Sequence, residues 1–229
     1  AVERLAKAFI AKERICVYAD FDLDGTSGLA LLIDGLTQLG YSNLTFSQPK
    51  RLSQGYGFHD FIVEELKQDG VSLIVTVDVG ITAMKAVTKA TELAIDVIIT
   101  DHHQPEETLP AALAVVNPNR KDDTSGLGYL CGAGVAYYLL RALKRELVNQ
   151  QLIDAKALDL KSLLDCFTIG TLTDMVPLIK DNRALVKMGL KVLETTKRPG
   201  LRCLLNELDL NQRALTGQDV AIRFAPKLN

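Results

Sequence analysis

Acidic side chains and two imidazoles stand at the ends of three apolar segments in the first half of this chain. These candidate ligands are Asp20, Asp22 and Asp24 after the first segment, Asp78 after the second, and Asp101, His102 and His103 after the third. Carboxylates held close together repel one another and take up protons unless a cation lies between them. Oxygen and imidazole donors together suit Mn²⁺ or Mg²⁺, with Zn²⁺, Co²⁺ and Fe²⁺ as alternatives. The residue types therefore predict a divalent-metal site, provided that the fold brings the segments together.

The spacing within the first acidic group has two interpretations. Side chains at alternate positions of an extended segment share a face, so Asp20, Asp22 and Asp24 would point the same way, with the next helix starting at Thr26. The same D-x-D-x-D-G string is typical of a calcium-binding EF-hand loop. That loop needs a Glu at its twelfth position, where this chain has Leu31. The sequence therefore favours a strand-end ligand group over a calcium loop.

The elements that would position these residues alternate between strands and helices. The predicted strands are Arg14–Asp20, Leu44–Ser47, Leu73–Asp78, Asp96–Asp101 and Leu113–Asn117, and the helices among them are Thr26–Leu39, His59–Gln68 and Ala83–Leu93. Continuous Val and Ile runs are typical of parallel strands that are covered on both faces. We predict an α/β fold with a doubly wound, mainly parallel sheet flanked by helices, whose strand ends bring the acids to one edge.

Beyond about residue 130 the strand signal stops. Four helices are predicted there, over Gly134–Leu147, Leu160–Leu172, Asn182–Leu193 and Gly200–Leu208. They would form a C-terminal helical cap. We predict one domain over residues 1–215, with an α/β part over about 1–120 and a helical part over about 130–215.

Composition limits the classes of protein to which the chain can belong. Of its 229 residues 48% are hydrophobic and 24% are charged, which is typical of a globular protein. The net charge of −2 gives no overall signal for nucleic acid, so any polyanion-binding surface must be local. Four widely spaced cysteines fit a reducing compartment, and no leader or apolar segment of about 20 residues is present. We therefore predict a soluble, cytoplasmic protein without a membrane partner.

Four segments, in order along the chain, resemble the motifs of the DHH superfamily of phosphoesterases. They lie at residues 20–25 (DFDLDG), 76–81 (TVDVGI), 100–103 (TDHH) and 170–178 (GTLTDMVPL). Within that superfamily the chain is similar to the RecJ-like nucleases over nearly its whole length. Supporting stretches include residues 55–57 (GYG), 116–119 (VNPN) and 132–136 (GAGVA).

The resemblance implies a phosphodiesterase that uses two ions, usually Mn²⁺ or Mg²⁺. The residues that it implies as metal ligands are Asp22, Asp24, Asp78, His102 and Asp174, together with Asp20. It implies that His103 contacts the scissile phosphate, and that Asp101 either binds metal or orients its neighbours. It also implies a second domain, of the DHHA1 type, that grips the substrate; residues 216–229 would begin the linker toward it.

Two positions depart from the family pattern. Val79 follows the second-motif acid where RecJ-like proteins commonly have Asn. Tyr18 occupies the place where the manganese pyrophosphatases of the superfamily have His, which counts against that branch.

Local basic and aromatic residues bear on the substrate. Arg183 and Lys187 fall one turn apart on a predicted helix, a spacing that suits either phosphate contacts or a solvated helix face. Arg51 is a second candidate phosphate contact, and Tyr56 is a candidate stacking platform. We predict single-stranded nucleic acid as the partner and, with the resemblance, a 5′→3′ single-stranded-DNA exonuclease core acting in DNA repair and recombination. The alternatives are an RNA or short-oligonucleotide phosphodiesterase of the same superfamily, and a non-catalytic replication scaffold.

Overall fold

The computed structural model describes residues 1–229 as a parallel sheet with helices on both faces. The strands are β1 Ile15–Ala19, β2 Leu44–Ser47, β3 Leu73–Val77, β4 Asp96–Thr100 and β5 Ala114–Val116. Every pairing is parallel, and the order across the sheet is β2-β1-β3-β4-β5. The predicted doubly wound sheet is confirmed, and it is entirely rather than mainly parallel.

Eight α-helices surround the sheet. They are α1 Val2–Ala11, α2 Leu23–Gln38, α3 Asp60–Gln68, α4 Met84–Glu92, α5 Gly132–Asn149, α6 Leu164–Thr173, α7 Lys180–Glu194 and α8 Pro199–Glu207. A 3₁₀ turn, Leu160–Leu163, precedes α6, where the sequence predicted one continuous helix. The sequence analysis missed α1, which has no side-chain cap at its start. None of these helices combines the length and the apolar character that a membrane span requires.

Chain reversal places the switch point of the sheet between β1 and β3. The chain passes from β1 to β2 on one side, and β3 then pairs with β1 on the other side. In this architecture ligands bind beyond the carboxyl ends of the strands at the switch point. The register aligns Ala19 with Val77 and Val77 with Thr100. The three residues that follow these strand ends therefore leave the sheet at one level: Asp20, Asp78 and Asp101.

The beginning of α2 corrects the sequence analysis. The helix starts at Leu23 instead of Thr26, because the Asp22 carboxylate accepts a hydrogen bond of 2.9 Å from the Gly25 N–H and caps the helix. Asp24 consequently lies in the first helical turn. The prediction that three carboxylates share one face of an extended segment is therefore wrong.

Two apolar cores lie on opposite faces of the sheet. The larger contains 38 buried residues contributed by the sheet and mainly by α1, α2, α5 and α6, whereas the smaller contains 15 and lies beneath α3 and α4. Because burial free energy scales with the apolar area removed from water, most of the stabilisation comes from the face that the helical half covers.

A segment near the C-terminus contributes to the larger core. Asp219–Phe224 forms a π-helical segment, within which Val220 and Phe224 are fully buried. This segment lies within the predicted linker, but its apolar side chains pack into the larger core. The division of the chain into a domain and a linker toward a second domain stays a prediction.

Candidate metal centre

Three carboxylates converge on the imidazole of His102. Its Nε2 lies 3.1 Å from an oxygen of Asp78, 3.6 Å from one of Asp174 and 3.8 Å from one of Asp24. His103 Nδ1 lies 3.9 Å from the same Asp78 oxygen. The end of β3, the loop after β4, the first turn of α2 and the C-terminal end of α6 thus bring five predicted site residues together.

Two atoms at the middle of this group have no hydrogen-bond partner. Asp78 Oδ1 and His102 Nε2 are both buried and unpartnered, although buried polar atoms are normally bonded. The donor atoms form two overlapping sets that share His102, each set within 4.8 Å: Asp78, His102 and His103, and Asp24, His102 and Asp174. Carboxylate and imidazole donors in this arrangement fit a divalent cation.

The backbone at Asp78 is held in an uncommon conformation. Its φ is +61°, in the left-handed region that Asp and Asn tolerate better than other side chains. Gly132, the first residue of α5, lies directly against it. A Cβ added to Gly132 would lie 2.4 Å from Asp78 Cβ and 2.6 Å from Oδ1. The absence of a side chain at Gly132 therefore leaves room for the Asp78 carboxylate.

Asp24 is held by the N-terminus of α5. Its carboxylate accepts hydrogen bonds from the N–H groups of Gly132 at 2.6 Å and Ala133 at 3.0 Å. The first N–H groups of a helix have no partner within the helix, and its dipole favours a negative charge there. The sequence analysis missed this contact, although the GAGVA stretch in the family resemblance pointed to the same residues.

Asp101 orients the histidine loop. It accepts hydrogen bonds from the N–H groups of Ile81, His102 and His103, at 2.7–3.1 Å, and it is bonded to His103 Nδ1 at 2.7 Å. Burial opposes its ionisation, but the hydrogen bond and the charge of His103, together with the backbone N–H groups, outweigh it and lower the pKa of Asp101. The same bond raises the pKa of His103 to about 9. Four contacts on one carboxylate favour an orienting role for Asp101 over ligation.

The other carboxyl groups of the site have pKa values above the ordinary range of an aspartate. Burial raises the pKa of Asp20 to about 6. Burial, reinforced by the negative charge of Asp24, raises the pKa of Asp174 to about 6 and that of Asp78 well above its usual range. Burial also raises the pKa of Asp24. A cation among these groups would relieve the cost of burying their charges.

Comparison with known proteins decides the family. The sequence matches the model described as "DHH family, N-terminal domain" over residues 14–171. The chain belongs to the DHH family. This DHH chain is 40% identical, over its whole length, to the single-stranded-DNA-specific exonuclease RecJ of Escherichia coli, and the alignment spans 40% of that protein.

Solved structures agree with this assignment. A crystal structure of exonuclease RecJ bound to manganese matches the DHH chain with a TM-score of 0.85 and 35% identity, covering 99% of this chain and 55% of the other. RecJ from Thermus thermophilus in complex with Mn²⁺ matches with a TM-score of 0.79 and 33% identity, covering 99% of this chain and 31% of the other. The predicted family resemblance is confirmed.

Two predicted ligands of the DHH site lie outside the converging group. Asp22 caps α2, and its charge contributes to the raised pKa of Asp78. Asp20 is buried, its Oδ1 accepts the Phe21 N–H at 2.7 Å, and Gln48 Nε2 holds its carbonyl oxygen at 2.7 Å. Their roles as metal ligands stay predictions.

The two positions that depart from the family pattern lie in the apolar interior. Tyr18 and Val79 both belong to the smaller core. The Tyr18 hydroxyl donates to the carbonyl oxygen of Gly57 at 2.9 Å. Neither side chain supplies a donor to the DHH site in this arrangement.

An aromatic and cationic group lies beside the acids of the first motif. The Phe21 ring, between Asp20 and Asp22 in sequence, has its centroid 4.3 Å from that of Tyr56. The Arg51 guanidinium carbon lies 5.5 Å from the Phe21 centroid. Tyr56 is 64% exposed. Arg51 and Tyr56 are predicted substrate contacts, whereas Phe21 is not, because it stands between two candidate metal ligands in the sequence.

The two basic residues predicted to contact phosphates lie on α7. Arg183 and Lys187 are exposed, and neither forms a salt bridge. Both cations are therefore free to contact an anion, and their predicted role in substrate binding stays a prediction.

The Mn²⁺ affinity of the DHH domain is expected to fall as the pH is lowered through about 6. Asp20 and Asp174, each with a pKa of about 6, bind protons below that pH, so an ion must displace them. Each carboxyl that must lose its proton weakens binding by up to about tenfold per pH unit. Titration calorimetry at pH 5, 6 and 7.5, in buffers of different ionisation enthalpy, would measure both affinity and proton release.

The stability of the metal-free protein should change in the opposite direction and increase as the pH is lowered. Since folding raises these pKa values, the two groups stabilise the fold at low pH and lose that contribution as the pH rises through about 6. An affinity that is constant from pH 5 to 7.5, without proton release, would contradict this account.

Proposed function

We propose that this chain is the catalytic core of a metal-dependent phosphodiesterase that acts on single-stranded nucleic acid, specifically a 5′→3′ single-stranded-DNA exonuclease. The carrying observation is the pair of unpartnered buried atoms, Asp78 Oδ1 and His102 Nε2, within a converging set of carboxylates. Identity of 40% to a single-stranded-DNA-specific exonuclease over the whole chain supports the choice of substrate. A role in DNA repair and recombination is part of the same proposal.

Two ions, Mn²⁺ or Mg²⁺, would be held by the acids and His102. The proposed ligands are Asp20, Asp22, Asp24, Asp78, His102 and Asp174. When bound, such ions supply positive charge to the oxygens of a phosphodiester and activate water.

His103 would contribute a fixed positive charge toward the phosphate. Its hydrogen bond to Asp101 raises the pKa of His103 to about 9 in the metal-free protein, which favours the protonated form. Asp101 occupies its Nδ1, so Nε2 remains available to donate to a phosphate oxygen. Its side chain is 55% exposed, in contrast to that of His102, at 12%, which supports separate roles for the two imidazoles.

The aromatic pair supports a single strand as the substrate. Unpaired bases can stack on exposed rings, and such stacking does not depend on sequence. Tyr56 and Phe21 offer rings directly beside the acids, and Arg51 adds a cation at the same place. Arg183 and Lys187 would contact phosphates farther along the strand. The chain spans 40% of the E. coli relative, and a further domain beyond it would complete the binding of the single strand.

Tyr56→Ala is expected to raise KM for single-stranded DNA by about 5- to 100-fold, since loss of one base stack costs roughly 1–3 kcal/mol. Mn²⁺ affinity should not change, because Tyr56 contributes no ligand. Rates measured over a range of oligonucleotide concentrations would give KM, and rates measured over a range of Mn²⁺ concentrations would give the apparent metal affinity. Phe46→Ala is a matched control, because Phe46 is equally exposed and pairs with no other ring. An unchanged KM for the Tyr56 variant would refute the stacking role.

The function itself is tested by Mn²⁺-dependent hydrolysis of a 5′-labelled single-stranded DNA oligomer. Release of labelled mononucleotide would support both the activity and its direction. Competition by RNA or by very short oligomers would favour the alternative phosphodiesterase. Failure to release nucleotide and to bind Mn²⁺ would refute the enzymatic proposal and favour a scaffold.

A further inference from the structure

Two asparagines in the loop after β5 hold the backbone of the histidine pair. Asn117 Nδ2 donates to the carbonyl oxygen of His103 at 2.9 Å, and Asn119 Nδ2 donates to the carbonyl oxygen of His102. Asn117 Oδ1 also accepts the N–H of Asn119 at 2.8 Å. Asn117 is 3% exposed, so its amide is a buried part of this contact.

The histidine loop has no regular structure that could fix its peptide groups. β4 ends at Thr100, and the residues that follow make no further sheet pairing beyond the Asp101 N–H bond to Val116. Asp101 binds the N–H groups of both histidines, and the asparagines bind their carbonyl oxygens. Both sides of the peptide backbone are therefore held, and with them the direction in which each histidine side chain leaves the backbone.

A turn alone does not require this arrangement. An asparagine that stabilises its own turn uses its side-chain oxygen to accept an N–H two residues later, as Asn117 does with Asn119. Two side-chain N–H groups directed at consecutive carbonyls of a different loop have no part in that turn. Their common target is the pair of residues whose rings enter the site.

We propose that Asn117 and Asn119 are positioning residues that set the entry direction of the His103 and His102 imidazoles into the metal site. The inference rests on the proposed function, because the positions matter through the ion that His102 would bind and the phosphate that His103 would contact. Partners of this kind, which orient ligands without touching the ion, typically contribute 10- to 100-fold to metal affinity.

Two substitutions isolate the donors. Asn117→Asp keeps the oxygen that accepts the Asn119 N–H and replaces the donor to His103 with a second acceptor. Asn119→Ala removes the donor to His102 without adding charge. We expect Asn119→Ala to weaken Mn²⁺ binding by roughly 10-fold or more, because Asn119 holds the backbone of a proposed ligand. We expect Asn117→Asp to alter the signals of the His103 imidazole, and thermal unfolding should stay cooperative in both variants.

The control is Asn211→Asp. The Asn211 side chain is exposed and donates to Asn206 Oδ1 at 2.7 Å, so the change removes a comparable donor away from the site. This variant should bind Mn²⁺ as the unmodified protein does.

Imidazole ¹⁵N spectra of the metal-free protein provide a readout that general destabilisation would not change. The chain has three histidines, so His59 serves as an internal reference. Altered His102 or His103 signals beside an unchanged His59 signal would support positioning. Unchanged signals together with unchanged Mn²⁺ affinity would overturn it and leave the proposed function intact. If the unmodified protein binds no Mn²⁺, the proposed function fails, and the spectra alone decide the inference.

Discussion

Asp78→Asn is expected to lower Mn²⁺-dependent hydrolysis by at least about a thousandfold, equivalent to about 4 kcal/mol of transition-state stabilisation. The substitution keeps the shape of the side chain but removes its charge from the middle of the converging group. Asparagine also tolerates the positive φ of this position. The metal-free variant should be at least as stable as the unmodified protein, because burial and neighbouring acids disfavour the Asp78 charge.

The measurement combines nucleotide release at saturating Mn²⁺ with thermal unfolding in chelator. Asp209→Asn is a matched control, since Asp209 also has a positive φ, of 52°, but is exposed. It should change neither property. Retained activity in the Asp78 variant would remove that carboxylate from the proposed ligand set.

Gly132→Ala is expected to reduce both folding stability and Mn²⁺ affinity. The added Cβ would lie within 2.4–2.6 Å of three atoms of Asp78, which is far closer than non-bonded carbon atoms approach. Overpacking of this kind costs about 1–3 kcal/mol. The same shift would move the Gly132 N–H that binds Asp24, so two carboxylates of the site would be displaced together.

Chemical denaturation and Mn²⁺ titration would measure the two losses. Gly200→Ala is the control, because a Cβ at Gly200, in α8, meets nothing within 4 Å. Removing an unnecessary helical glycine should stabilise the protein by up to about 1 kcal/mol. Mn²⁺ affinity equal to that of the unmodified protein in the Gly132 variant would show that this close contact does not position Asp78.

The centre of the sheet could be predicted from the sequence because its strands are continuous runs of buried, mainly apolar residues. β1 and β3 are buried at every position, so no polar alternation obscures them. The position of the acids could then be predicted as well, because the residues that follow parallel strands meet at one edge of the sheet. α1 was missed because tertiary contacts stabilise it: Leu5 is buried in the larger core and Arg4 pairs with Asp96.

The site was only partly predictable, because one residue type performs different tasks. Asp22 caps a helix, whereas Asp24, two residues later, lies against another helix far along the chain, and both are aspartates. Nothing local links Asp24 with Gly132, so that contact requires the tertiary structure. The roles of Phe21 and Asn117 likewise depend on neighbours that spacing does not reveal.

The donors that converge on His102 come from both halves of the domain, from Asp24 on α2 to Asp174 at the end of α6. An ion held by them would crosslink the sheet to the helical half. Such a crosslink forms only after the long chain segments between its ligands have been brought together. Interactions that form after the folding transition state slow unfolding and leave the folding rate nearly unchanged. The ion would therefore prolong the lifetime of the folded domain, and would do little to speed its formation.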